Sequence, residues 1–427
     1  MSPLFCFHKI VLSHGLRVVV VPMKHTATVT TMVLVKTGSR YERKEENGIS
    51  HLLEHLFFQG TKKRPSTMAV MRELDRIGAH HNAFTTHDHT AYYVKTDGKY
   101  LDLSLDVLSD MYINALFKSN DIEKERRVVV EEINMYRDTP QRAIWDYFYA
   151  LLYTGNSLSR SVLGPIETVL SLGRAHFLAY RKKQYVAANT VVVVAGAVSV
   201  SQTLLKIKKY FADISVGDRS SFVPYQNIQK KPVFHLLYKK IDQAHVVIGG
   251  RAYAASDTKR YALEVLCALL GGYSSSRLFM SVRDRLGLAY YVGADTGYHE
   301  DTGYYAVYAG LSLQKATFGI STILKELHKI KTGIITTKEI NDAKSHIVGS
   351  LSLHLESSSA IAMHAGGSEI ITGAIETPEH YIQGIHKVSL KDIRDVARAL
   401  FQDNNLHCTL IGPFQNKAIF EKILHIS

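Results

Sequence analysis

The segment His51-Leu52-Leu53-Glu54-His55 holds two imidazoles four residues apart with a carboxylate between them. On a helix, positions i and i+4 share a face, so both rings can reach one cation. The carboxylate at i+3 stands beside that face, where it can act on a metal-polarised water without becoming a ligand. A catalytic zinc needs a third protein ligand and keeps one position open. The chain has 21 histidines, so this spacing can arise by chance and the surroundings must decide. They are apolar: Ile49, Leu52, Leu53, Leu56, Phe57 and Phe58. Two buried imidazoles and a carboxylate on such a helix are costly unless they are paired or hold a cation.

A third ligand can be sought on the helix expected over Asp121–Asp138. There Glu132 has Val128, Val129, Met135 and Tyr136 as its i−4, i−3, i+3 and i+4 neighbours, whereas Glu131 also has Arg127 and Asn134. An acid inside an apolar stripe wants a cation, which favours Glu132. Glu125 lies seven residues earlier on nearly the same face and is the candidate acid for orienting a ligand or water.

With these residues in place, the chain resembles the pitrilysin/insulinase metallopeptidases, whose HxxEH order is that of the inverzincins. The matching stretches are GISHLLEHLFFQGT at 48–61 and ERRVVVEEINMYRDTP at 125–140, at the family's usual separation. The resemblance implies Zn2+ held by His51, His55 and Glu132, with Glu54 as general base and Glu125 as supporting acid. HNAFTTHDHTAYYV at 81–94 is similar to the edge strand that pairs with substrate backbone, which implicates Asn82, Ala83 and Thr85. RDRLGLAY is similar to the segment with a substrate-contacting Arg/Tyr pair, here Arg283 and Tyr290. Gly155-Asn156-Ser157-Leu158 departs from the family's common GHPL, without catalytic consequence. The implied activity is that of a zinc-dependent endopeptidase acting on peptides or unfolded segments inside a closed chamber. One chain of this length matches half of the long family members. Because it carries both the zinc motif and the Arg/Tyr pair, a homodimer with composite active sites is expected.

These residues must be positioned by alternating strands and helices. Leu16–Pro22, Thr28–Lys36, Asn82–Thr86, Thr90–Lys95 and Thr190–Gly196 read as strands. Helices are expected from Asn47, as N-cap, to Phe58, from Ser66 to Gly78, over Leu101–Asn114 and over Ser201–Phe211. A polar, aperiodic stretch over Ser215–Lys231 reads as a linker, after which a similar order restarts: strand Ala244–Gly249, helix Lys259–Leu270, helix Arg277–Arg285. Arg72–Val94 can be laid over Val282–Val307, which would set the HLLEH helix against Leu263–Leu269. The expected fold is therefore α+β, two homologous domains, each a mixed sheet covered on one side by helices. The boundaries are 1–215 for the zinc-binding domain, 216–231 for the linker and 232–427 for a domain supplying substrate contacts.

Bulk properties narrow the alternatives. The 427 residues, 46% hydrophobic and 21% charged, describe a globular chain too long for one ordinary core. A formal charge of +12 raises nucleic-acid binding as an alternative, but the basic residues fall in short groups such as Lys62-Lys63-Arg64 with no nucleic-acid motif. A non-catalytic scaffold of the same family is the other alternative, and the complete zinc set argues against it. Apolar runs are strand-sized, so no membrane span is expected, and the segment after Met1 has no targeting pattern, so a cytoplasmic location is. Cys6, Cys267 and Cys408 form no metal spacing and are expected as small buried residues. His87-Asp88-His89, read on one strand face, is a weaker candidate for a second metal.

Overall fold

The computed structural model describes residues 5–227 and 229–426. The chain forms two compact units: unit 1 comprises residues up to 134 with 160–223 and 352–379, and unit 2 comprises 135–159, 224–351 and 380 onward. The strands are β1 (His8–Val11), β2 (Arg17–Pro22), β3 (Thr28–Val35), β4 (His80–Thr85), β5 (Thr90–Asp97), β6 (Thr190–Gly196), β7 (Val233–Tyr238), β8 (Gln243–Ala252), β9 (Ala289–Tyr298), β10 (Gly303–Ser312) and β11 (His407–Gly412). Helices from the first part of the chain are α1 (Ile49–Leu56), α2 (Thr67–Asp75), α3 (Leu101–Asn114), α4 (Ser119–Asp138), α5 (Pro140–Leu152), α6 (Ile166–Ser171), α7 (Arg174–Gln184) and α8 (Val200–Tyr210). The later ones are α9 (Arg260–Cys267), α10 (Ala316–Lys331), α11 (Thr337–His354), α12 (Ser358–Thr372), α13 (Pro378–Lys387), α14 (Leu390–Leu400) and α15 (Ala418–Glu421).

Unit 1 holds a mixed sheet in the order β1-β2-β6-β3-β5-β4, with β2 and β6 parallel and the other pairs antiparallel. The Thr-Val-Val-Val-Val-Ala-Gly run of β6 is buried at every residue, which requires cover on both faces. On one face, Val19, Met32, Leu34, Val191 and Val193 meet Ile361, Ala362 and Ala365 of α12. The other face includes Thr31, bonded to Ser104 of α3 at 2.9 Å, and Tyr92, whose ring meets Phe57. The expectation of helices on one side only is therefore corrected: α12, distant in sequence, closes the second face. It is tied there by a buried ion pair, Arg17 Nη1 to Glu369 Oε1 at 3.1 Å.

Unit 2 repeats the pattern with the order β7-β11-β8-β10-β9, in which β7 and β11 are the parallel pair. Val246, Ile248, Tyr305 and Val307 pack with Leu263, Leu266, Ile320 and Ile323, while Val247, Ala306 and Ile411 meet Ala143, Ile144 and Phe148 of α5. Position for position, β2-β6-β3-β5-β4 matches β7-β11-β8-β10-β9. Two homologous sheet-and-helix halves are the architecture of the chain. Unit 2 departs from regular helix in two places, with π-helical turns over Ala268–Gly272 and Phe279–Arg285. A Cβ on Gly271 would lie 2.4 Å from the backbone nitrogen of Ala294 on β9, so only glycine permits that approach.

No described helix is long and apolar enough to cross a membrane. Cys267 and Cys408 are buried as expected, but Cys6 is exposed, and all three are free. Part of the basic charge is internal: Arg64 is buried and bonds Asp106, Asp110 and Glu73 at 2.6, 2.9 and 2.8 Å.

Candidate metal centre

The placement of α1 begins at its N-terminus. Gly48, at φ 98°, precedes the first turn, and a Cβ there would lie 2.6 Å from the carbonyl oxygen of Leu163. Asn47 is not the cap expected from sequence: its amide donates to Glu42 and to the Ser161 carbonyl. The orphan N–H groups are met by the Glu42 carboxylate, which accepts from Gly48 N at 2.8 Å and Ser50 N at 2.9 Å. Burial pushes the Glu42 carboxyl up from its ordinary value, against the bonds from Asn47, Ser50 and Gly48 that favour the charged form. This capping acid was missed in the sequence because it lies outside the helix. The only cue was a helix start without Ser, Thr or Asp.

Held this way, α1 turns His51 and His55 toward Glu132 of α4. Glu132 Oε2 lies 3.6 Å from His51 Nε2 and 3.7 Å from His55 Nε2. One ligand atom from each of the three residues falls within 4.8 Å of the others, the one such group among the described residues. Tetrahedral bonds of about 2.0–2.2 Å put neighbouring donors roughly 3.3–3.6 Å apart, so the set fits a zinc ion with small adjustment. Burial and the neighbouring His55 push His51 down to about 3, leaving its imidazole neutral, the form that ligates a metal. Its Nδ1 has no hydrogen-bond partner. His55 differs: its Nδ1 lies 3.3 Å from Glu125 Oε2. Burial alone would lower His55, but the bond to Glu125 and the charges of Glu54, Glu132 and Glu125 raise it instead. An N–H from His55 to buried Glu125 fixes the tautomer that leaves Nε2 facing Glu132.

Glu132 and Glu131 separate clearly, although not for the reason the sequence suggested. Val128 and Met135 are exposed, so Glu132 does not sit in an apolar stripe; the buried face of α4 is Ile122, Glu125, Val129 and Ile133. Glu132 stands at the margin of that face beside the imidazoles, and Glu131 is exposed. Glu54 is half-buried, and its Oε2 accepts a 2.5 Å hydrogen bond from the Thr85 hydroxyl. Burial raises its carboxyl and Glu132 adds to this, while the Thr85 bond and His55 act against it. Thr85 ends β4, the edge strand of the sheet, which also carries the exposed Asn82 and the half-buried Ala83. The contact between Thr85 and Glu54 left no trace in the sequence beyond the nearness of both to the motif.

Arg283 and Tyr290 belong to unit 2. Arg283 is exposed in the second π-helical segment, its guanidinium 4.7 Å from the Phe279 ring. Tyr290 is 74% exposed and falls in a β-bulge, since Gly310 pairs with Tyr291 and Leu311 with Ala289. Such a bulge re-aims a side chain out of the ladder. His87 and His89 lie in the turn between β4 and β5, not on a strand, and belong to no metal-ligand group among the described residues.

Comparison with known proteins agrees with this architecture. The family described as "Insulinase (Peptidase family M16)" matches residues 17–166, and "Peptidase M16 inactive domain" matches residues 171–347. An uncharacterized zinc protease of Bacillus subtilis is 34% identical over 408 residues, covering 94% of this chain and 97% of the relative. One from Rickettsia felis is 30% identical over 403 residues, covering 94% and 96%. Among solved structures, a protease from Helicobacter pylori superposes with a TM-score of 0.89 at 26% identity, covering 96% of this chain and all of that one. A peptidase M16 inactive domain from Pseudomonas fluorescens shares the fold at a TM-score of 0.89 and 14% identity, covering 96% and 98%. The chain belongs to peptidase family M16, in its short two-domain form. The relatives it matches over nearly their whole length are named as zinc proteases.

Proposed function

We propose that this chain is a zinc-dependent endopeptidase that hydrolyses peptides or unfolded polypeptide segments. The observation that carries the reading is the convergence of His51 Nε2, His55 Nε2 and Glu132 Oε2, with Glu54 on the same helix as both imidazoles. Zinc held by those three residues would supply a Lewis acid that polarises the scissile carbonyl and acidifies a water. Glu54 takes the proton of the attacking water and delivers it to the leaving amine nitrogen. Glu125 holds His55 in its ligating tautomer. Asn82, Ala83 and Thr85 belong to the edge strand that takes substrate backbone by strand addition. Arg283 and Tyr290 hold the carbonyl oxygen and substrate backbone as charge develops.

The functional division places the zinc chemistry in residues 1–215 and the further substrate contacts in 232–427, joined by 216–231. Because one chain carries both sets, the working form is a homodimer with composite sites enclosing a chamber. Three free cysteines suit a reducing, cytoplasmic setting. The test is digestion of an unstructured peptide library with and without a chelator, beside the Glu54→Gln variant. Chelation should abolish cleavage, and Glu54→Gln should lower kcat by about 10²–10⁴-fold. Cleavage that survives both would overturn the reading.

A further inference from the structure

Glu54 is held by more than its own helix. Ser50, one turn earlier on α1, has its hydroxyl 2.8 Å from the Tyr180 hydroxyl, which is 2.8 Å from Thr37 Oγ1. The Thr37 carbonyl accepts from Thr90 Oγ1 at 3.0 Å, and Thr90 Oγ1 is 3.4 Å from Thr85 Oγ1. Thr85 then donates to Glu54 Oε2 at 2.5 Å. The chain of contacts leaves α1 at Ser50 and returns to α1 at Glu54. Ser50, Thr37, Tyr180 and Thr90 are all buried, whereas Thr85 and Glu54 are half-buried. Thr85 and Thr90 are also direct partners in the β4–β5 ladder, which fixes the Thr85 backbone.

A hydroxyl has one proton to give. Thr90 spends its proton on the Thr37 carbonyl, the shorter of its two contacts, and Thr85 spends its own on Glu54. Strand addition reads the main chain of β4, so substrate capture does not need the Thr85 hydroxyl. We propose that Thr85 is the positioning residue of Glu54: its hydroxyl, carried on a backbone that the β4–β5 ladder fixes, holds Oε2 and leaves Oε1 as the oxygen that takes the proton. This rests on Glu54 acting as the base. It makes β4 both the strand that receives substrate and the support of that base.

The test compares Thr85→Val, which keeps shape and strand preference but loses the hydroxyl, with Thr85→Ser, which keeps the hydroxyl. In peptide turnover, Thr85→Val should lower kcat about 10- to 100-fold with KM and zinc content unchanged, and Thr85→Ser should restore most of the rate. A raised KM at unchanged kcat would make Thr85 a substrate contact and overturn the inference, as would a Ser variant no better than Val. Crystal structures of the variants supply a readout independent of peptide cleavage. Glu54 should leave its rotamer in Thr85→Val and keep it in Thr85→Ser, with His51, His55 and Glu132 unmoved. An unmoved Glu54 in Thr85→Val would refute the positioning role. Failure of the unaltered protein to cleave peptides would instead refute the proposed function, and the rotamer comparison would still decide what Thr85 does.

Discussion

In unit 1 and unit 2 the same strand order supports two different helices. Unit 1 packs α1 beside edge strand β4, and α1 offers two imidazoles and a carboxylate to Glu132. Unit 2 packs α9 and its π-helical extension beside edge strand β9, and this helix has no histidine. The acid of α9, Glu264, faces Arg260 at 3.5 Å and accepts from the Tyr381 hydroxyl. Glu132, by contrast, has two imidazoles as its neighbours, and Glu54 has a threonine hydroxyl. The fold therefore supplies a platform twice, and the acid of α9 meets a guanidinium where Glu132 meets imidazoles. Irregularity is distributed in the opposite sense. Arg283 sits in a π-helical segment and Tyr290 in a bulge, whereas His51, His55 and Glu132 lie on regular α-helix.

If that division of labour is right, damage to each unit should be complementary. A subunit with Glu54→Gln keeps Arg283 and Tyr290; one with Arg283→Ala and Tyr290→Phe keeps the metal centre. Each variant alone should be nearly inactive, and unfolding, mixing and refolding the two should recover one working site per mixed dimer. Absence of recovery in confirmed mixed dimers would mean that each site is completed within one chain, and the composite-site reading would fail.

A smaller effect sharpens the contrast at the helix starts. In α1 the N-terminal N–H groups rely on buried Glu42, and leaving a buried donor without its acceptor costs about 1–3 kcal/mol. Because burial raises the folded-state carboxyl above its ordinary 4.5, its contribution to stability is full below that value. That contribution is lost as pH rises through the folded-state value. Glu42→Gln does not titrate, so its stability deficit against the unaltered protein should shrink from acid to neutral pH. Urea midpoints of both proteins across that range measure this. A deficit that grows with pH would mean that the ionised carboxylate is the stabilising form.

Much of this was legible in the sequence where a short-range rule was sufficient. The i, i+4 imidazoles, the β-branched run at 190–196 and the order of elements after the linker all follow from local pattern. What local pattern could not carry was contact at long range. The second cover of the sheet comes from α12, roughly 170 residues beyond β6, and the cap of α1 from an acid outside the helix. Of the apolar neighbours that favour Glu132 over Glu131 in sequence, Val128 and Met135 are exposed; proximity to the imidazoles, which needs the packing of α4 on α1, is what distinguishes them. The π-helical turns and the bulge at Tyr290 come from tertiary packing and leave no periodic signature.

Unit 1 is expected to hold a metal through His51, His55 and Glu132, and unit 2 to hold none. The decisive measurement is zinc content per chain in the purified protein and in the Glu132→Gln and Glu131→Gln variants. The unaltered protein should contain about one zinc per chain. Zinc should be lost in Glu132→Gln and retained in Glu131→Gln. Retention in Glu132→Gln with loss in Glu131→Gln, or two zinc ions per chain, would contradict this expectation.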